Sequence, residues 1–188
     1  MSSGKLTMVG NADKKPAKIH DLVKAPANTP WAQERKHSWD ARDPATVYYT
    51  PETLADGTPT TALTVILRTK GCHWWWSSGC TFCGYFNDTR DDVTSEDLHS
   101  QWEKSLAKFD DFDAMGMVKV YTSGSLLEDR EIPLDFQERV LRDCHEMGKE
   151  LVVEVTLTGF LVRYSTFSKL LFKCSFDLYC IFTDQSPQ

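Results

Sequence analysis

Three cysteines fall within twelve residues, in the segment Gly71-Cys72-His73-Trp74-Trp75-Trp76-Ser77-Ser78-Gly79-Cys80-Thr81-Phe82-Cys83-Gly84-Tyr85. The Cys80-x2-Cys83 pair lets two thiolates reach one metal centre, and Cys72 can fold back as a third ligand across the intervening glycine. Three thiolates is the informative count. A structural zinc closes its shell with a fourth protein ligand, whereas a cubane iron–sulfur cluster held by three cysteines keeps one iron open to a substrate or cofactor. His73 would complete a Cys3His zinc site in principle, but adjacent ligands are awkward to aim at one ion. Trp74, Trp75 and Trp76 cannot all enter a core from one loop; some cover the metal centre or line a cavity, where they exclude water and oxygen, unless they are ordinary packing. Cys144, Cys174 and Cys180 are scattered through apolar surroundings.

The elements that must position this loop are legible on either side of it. Ala62-Leu63-Thr64-Val65-Ile66-Leu67 is a short β-branched and apolar run, read as a buried strand that feeds the cysteine loop. Thr94 with Asp97 resembles a capping box, and Leu98, Trp102, Leu106 and Phe109 recur at helical spacing up to Asp110-Asp111. Met117-Val118-Lys119-Val120-Tyr121 is a second strand. Pro133 opens a helix carrying Phe136, Val140, Leu141, Cys144 and Met147, which Gly148 terminates, and Leu151-Val152-Val153 is a third strand. Strand, helix, strand, helix, strand at these spacings predicts right-handed βαβ units in a parallel α/β sheet. Such sheets carry their chemistry on loops beyond the carboxyl ends of the strands, where the cysteine loop falls.

Residues 1–60 hold most of the prolines and little periodicity, and read as an extended N-terminal arm ahead of a core over 61–188. In the arm Trp31 and Trp39, with Arg35, Lys36, His37 and Arg42, form either an aromatic-basic surface for nucleic acid or, the plainer reading, anchors that pin the arm to the core. In 188 residues, 41% hydrophobic and 12% aromatic content supports a packed core and excludes a disordered tail. With 21 Lys+Arg against 27 Asp+Glu the formal charge is -6, so no global positive field draws the chain to a polyanion; a local patch or a partner must do so. Met1-Ser2-Ser3-Gly4-Lys5 lacks an apolar signal core, and the apolar run near the C-terminus is interrupted by Lys173 and Asp177. The expectation is a cytoplasmic protein with no membrane segment, in which disulfides are not the default use of cysteine.

The Cys-x7-Cys-x2-Cys spacing, with Gly71-Cys72, Gly79-Cys80-Thr81-Phe82-Cys83-Gly84-Tyr85 and Tyr121-Thr122-Ser123-Gly124-Ser125-Leu126-Leu127-Glu128-Asp129-Arg130-Glu131-Ile132-Pro133, resembles the radical S-adenosylmethionine (radical SAM) proteins of archaeosine biosynthesis, relatives of the catalytic subunit of Elongator. The spacing departs from the commoner Cys-x3-Cys-x2-Cys form of the superfamily. The resemblance runs from about Trp31 to Glu154. It implies a radical SAM partial (β/α) barrel, here its N-terminal half only, in which Cys72, Cys80 and Cys83 ligate a [4Fe–4S] cluster and SAM chelates the open iron. An external electron donor would reduce the cluster, and SAM would split to methionine and a 5′-deoxyadenosyl radical that abstracts hydrogen from substrate. Ser123, Gly124 and Ser125 occupy the place of the motif that meets the methionine end of SAM, Glu154 that of a polar residue toward its amino group or ribose, and Phe82 and Tyr85 places near the adenine. Asp129, Arg130 and Glu131, mixed in charge, read as a solvated turn.

In the family this chain resembles, the substrate is a tRNA bearing a 7-deazaguanine to which a partner transferase has attached lysine, and the radical step cleaves the lysine C–N bond to form archaeosine. The acidic chain suits a complex in which the partner carries much of the RNA affinity. The alternatives are a radical SAM enzyme on another substrate and a non-catalytic, zinc-stabilised interaction module. After Glu154 the family expectation of further βα units gives way to Val155-Thr156-Leu157-Thr158-Gly159-Phe160, a divergent tail rich in Leu161, Tyr164, Phe167, Leu170, Leu171 and Phe172. The 128 residues from Thr61 to Gln188 hold only about three units at roughly 35 to 40 residues each. The expectation is a truncated form that exposes a sheet edge and is poorly stable alone.

Overall fold

The computed structural model describes residues 38–77, 84–156 and 178–183. Its centre is a five-stranded sheet in the order β1-β2-β3-β4-β5. The strands are β1 Thr46–Thr53, β2 Pro59–Ile66, β3 Met117–Tyr121, β4 Glu150–Thr156 and β5 Leu178–Thr183. The first pair is antiparallel and all later pairs are parallel. Between them lie α1 His73–Ser77, α2 Ser95–Leu106 and α3 Leu134–Glu146. Parallel strands that pair in chain order, with no reversal, form a singly wound array, the order in which a (β/α) barrel is laid down and a doubly wound sheet is not.

The period of two along each strand sorts its side chains between the two faces. Leu63, Val65, Val118, Val120, Leu151, Val153 and Val155 join Leu98, Trp102, Phe136, Val140 and Cys144 of the helices in one buried core. On the opposite face Ala62, Met117 and Val152 pack with Leu54, and Lys119 pairs with Glu52 on β1. Trp102, wholly buried, donates from its indole to Asp143 Oδ2 at 2.8 Å.

The expected capping box is present. Thr94 Oγ1 accepts from Asp97 N at 3.2 Å, and Asp97 Oδ2 accepts from Thr94 N at 2.9 Å. These bonds hold the Asp97 carboxyl below its ordinary range in spite of partial burial, which pushes the other way. Thr94→Ala is therefore expected to cost about 1 kcal/mol and to lower the melting temperature by several degrees, read by circular dichroism. Helix α2 stops at Leu106, with Ala107 as its cap, so Phe109 packs on the core from the following turn and not from the helix. Helix α3 begins after Pro133 and ends before Gly148, whose φ of 64° supplies the left-handed residue that closes a helix.

Regular structure begins earlier than the sequence suggests. β1 lies in the stretch read as an extended arm, and it pairs with β2 from Thr46↔Ile66 to Thr53↔Pro59 around a turn at Gly57, φ 88°. Trp39 packs as an anchor: the Arg68 guanidinium lies 4.3 Å and that of Arg90 5.5 Å from its ring, and Arg90 Nη1 donates to Trp39 O at 2.9 Å. Trp31, Arg35, Lys36 and His37 lie outside the described residues, as does the tail over 157–177. β5 extends the parallel array from Leu151↔Leu178 to Thr156↔Thr183. Among the described residues no helix is long and apolar enough to cross a membrane.

Candidate functional site

β2 and β3 end side by side at Ile66↔Tyr121, so the loops that follow them emerge together at the carboxyl end of the sheet. In the first loop Gly71 takes φ 96°, a conformation that favours glycine, and turns the chain into Cys72 and α1. Cys72 is buried against Trp75, with Trp74 packed beside them. Trp76 is exposed, and its indole donates to Lys70 O at 2.9 Å. The tryptophans thus divide as steric reasoning requires: two cover the thiol and one lies at the surface. His73 is exposed although its neighbour Cys72 is buried, so the two side chains occupy different environments, which does not favour a shared ion. Cys80, Phe82 and Cys83 lie outside the described residues. Among the described residues no three metal-binding side chains cluster.

The second loop closes on the first. Gly124 is packed so tightly that a Cβ built on it would lie 2.8 Å from Cys72 Cβ, 2.9 Å from Cys72 Sγ and 2.7 Å from Glu131 Oε2. Two segments 52 positions apart in sequence thereby meet. Each amide of the Ser123-Gly124-Ser125 turn is engaged internally. Ser123 N donates to Glu131 Oε1 at 2.9 Å, Gly124 N to Thr122 Oγ1 at 3.2 Å, and Ser125 N to Glu131 Oε2 at 3.0 Å. The Ser125 hydroxyl is buried and accepts from Leu127 N at 3.3 Å. Ser123, half-buried, lines a cleft of about 180 Å³ together with Tyr85, Asp88, Thr122, Ile66 and Leu67. The cleft brings Ser123 and Tyr85, two residues singled out in the sequence, to one place.

Glu154 stands on β4 with its main chain tied to the same turn, Leu126 N donating to Glu154 O at 3.2 Å. Its half-buried carboxyl is raised above the ordinary range by desolvation. Tyr121, whose phenol is likewise pushed up by burial, feels the charges of Lys119 and Glu154. This is a polar strip on the sheet face that the helices leave uncovered.

Glu131 overturns its reading as part of a solvated turn. Asp129 and Arg130 are exposed, but Glu131 is buried and accepts from Thr69 Oγ1 at 2.6 Å as well as from Ser123 and Ser125. Mixed charge in a turn hides a buried member. The signal that points to it is the turn itself, whose main-chain N–H groups have no strand partner and need an acceptor once buried. Desolvation, only partly offset by those donors, raises the carboxyl to about 7 against 4.5. The folded chain therefore keeps a proton that the unfolded chain releases, and from about pH 4.5 to about 7 the contribution of this group to stability falls as pH rises. The melting temperature of wild type, less that of Glu131→Gln, is expected to decline across that window; a flat difference would contradict it.

No family model matches the chain. It is 35% identical over 123 residues to an archaeosine synthase subunit beta from Methanosarcina acetivorans, covering 65% of this chain and 31% of that protein. A second archaeosine synthase subunit beta, from Thermococcus kodakarensis, is 27% identical over 125 residues, covering 65% of this chain and 39% of that protein. A solved structure, a queuine lyase from Clostridium spiroforme bound to SAM and queuine, aligns with a TM-score of 0.49 at 21% identity, covering 73% of this chain and 53% of that one. The chain spans about a third of the length of the curated relatives it matches. Over some 65% of its residues the chain is a homologue of proteins named archaeosine synthase subunit beta.

Proposed function

We propose that this chain carries the cofactor-binding part of a radical SAM enzyme of tRNA modification, acting on a tRNA-borne lysine adduct of 7-deazaguanine to form archaeosine. The observation that carries the reading is the contact of Cys72 with the Gly124 turn at the carboxyl ends of β2 and β3. The names of the homologues support the substrate class.

The donor chemistry fits a soft cluster. Cys72 offers sulfur in an apolar setting beside Trp75, and Cys80 and Cys83 follow at Cys-x2-Cys spacing in the same loop. These three thiolates would hold a [4Fe–4S] cluster, which together with SAM and an external electron donor supplies a hydrogen-abstracting radical when bound. The protein's own part is to bind and orient. Because the three amides of the Ser123–Ser125 turn are spent internally, it has carbonyl oxygens and the Ser123 hydroxyl left to offer. The carbonyl oxygens suit the ammonium of SAM, and the hydroxyl, donor and acceptor at once, suits its ammonium or its carboxylate. Glu154 supplies a carboxylate at the neighbouring strand for an amino or hydroxyl group, and Tyr85 a ring on the cleft that Ser123 lines. Trp74 and Trp75 keep water from the thiol side. With a formal charge of -6 the chain is poorly equipped to hold tRNA alone, which favours action beside a partner that brings the lysine-modified tRNA.

The test is anaerobic reconstitution, followed by iron, sulfide and zinc quantitation and electron paramagnetic resonance with and without SAM. About four irons per chain with a spectrum perturbed by SAM is the expected result, and turnover of lysine-modified tRNA by the chain with its partner then decides the reaction. One zinc per chain and no iron would sink the proposal.

A further inference from the structure

The exits of β2 and β3 lose their ladder soon after the strands end: among the described residues, Leu67 N donating to Tyr121 O at 2.9 Å is the last main-chain bond between them. Beyond that point a side chain takes over. Glu131 Oε1 accepts from Thr69 Oγ1 at 2.6 Å and from Ser123 N at 2.9 Å, and Oε2 accepts from Ser125 N at 3.0 Å. Thr69 Oγ1 in turn accepts from Gly71 N at 3.1 Å, one residue before Cys72. One carboxylate therefore bridges the two loops, and it does so at 1% exposure, where an unpaired acid would be costly. Its chain position, just ahead of Pro133 and α3, fixes it to the helical layer. The bridge ties the cysteine loop and the Ser123–Ser125 turn to the start of α3.

We propose that Glu131 is a positioning residue that locks the Ser123–Ser125 turn to the cysteine loop through Thr69 and Gly71, and so sets where SAM sits relative to the cluster. The lock stands on the hydrogen bonds alone, whereas its consequence for SAM rests on the proposed function. An ionised or neutral acid can serve both loops, since Thr69 can donate to it or accept from it. A glutamine cannot, because its amide nitrogen must face either Thr69 and Ser123 or Ser125, and a main-chain donor then loses its acceptor. Thr69→Val removes the hydroxyl that donates to Glu131 and accepts from Gly71 N, and so cuts the branch toward the cysteine loop while leaving Ser123 N and Ser125 N on the carboxylate.

The experiment is hydrogen exchange by mass spectrometry on the full chain, with iron content and equilibrium SAM binding measured on the reconstituted protein. In Glu131→Gln, peptides spanning 121–127 are expected to exchange at least about tenfold faster while peptides within β2, β3 and β4 keep their wild-type rates. In Thr69→Val the gain is confined to peptides spanning 68–73. Reconstituted Glu131→Gln is expected to keep its iron and to bind SAM about tenfold more weakly. Unchanged exchange over 121–127, or acceleration spread over the whole sheet, would overturn the lock. Local loosening with wild-type SAM affinity would overturn its role in positioning. Absence of iron from the wild type would remove the proposed function, while the exchange pattern would still decide the lock.

Discussion

Cys72→Ala is expected to reduce reconstituted iron from about four per chain to less than one and to erase any response of the spectrum to SAM, with Cys80→Ala and Cys83→Ala behaving alike. For Cys72 the expectation rests on position. The thiol is buried between Trp75 and the Gly124 turn, at the strand end where the cysteine loop begins. As a packing residue alone it would give up one sulfur atom's worth of contacts, about 1 kcal/mol, and the variant would fold with nearly the wild-type melting temperature. As a ligand it removes one of three points that hold the cluster. Metal loss out of proportion to destabilisation is thus the signature of a ligand. His73→Ala provides the counter-test, since an exposed side chain next to a buried thiol has no part in a three-cysteine site. Loss of metal in His73→Ala, with zinc in the wild type, would point to a Cys3His centre and remove the radical reading.

How far the fold could be read from the sequence depended on how one-sided each element is. β3 was legible to the residue because Val118 and Val120 face the helices while Met117, Lys119 and Tyr121 face away, a period of two that a polar lysine sharpens. Helix α2 was legible at its start because Thr94 and Asp97 are a local pair, needing no tertiary information. β1 was not legible. It is an edge strand, mostly exposed, with Val47 its buried member and Pro51 in its middle. An edge strand can carry a proline because the missing N–H costs no ladder bond when it would have faced outward. At the site, the cysteine motif and the Ser-Gly-Ser turn were visible as chemistry-bearing types at telling places, but the acid that joins them was not. Glu131 is made a core residue by what it meets 62 positions earlier and eight positions earlier, at Thr69 and Ser123. A neighbourhood of that kind has no local periodicity to announce it.

Gly124→Ala is expected to lower stability by about 1 to 3 kcal/mol and to impair cluster incorporation, whereas Gly84→Ala, within the cysteine motif itself, is expected to change stability by less than about 0.5 kcal/mol. Backbone strain does not separate them, since neither glycine takes a positive φ. Space does. A Cβ on Gly84 meets none of the described residues within 4 Å, whereas on Gly124 it meets Cys72 Cβ at 2.8 Å, Cys72 Sγ at 2.9 Å and Glu131 Oε2 at 2.7 Å. A sulfur could rotate away, but Cys72 Cβ sits one bond from the main chain, and Glu131 Oε2 is held by Ser125 N. Relief must therefore come from separating the two loops, which moves Cys72, the proposed cluster ligand, away from the turn proposed to meet SAM. Thermal melting with iron content on the same samples checks this. A Gly124→Ala protein that melts and loads like wild type would mean that the two loops can part without consequence, and that their contact does not place the chemistry.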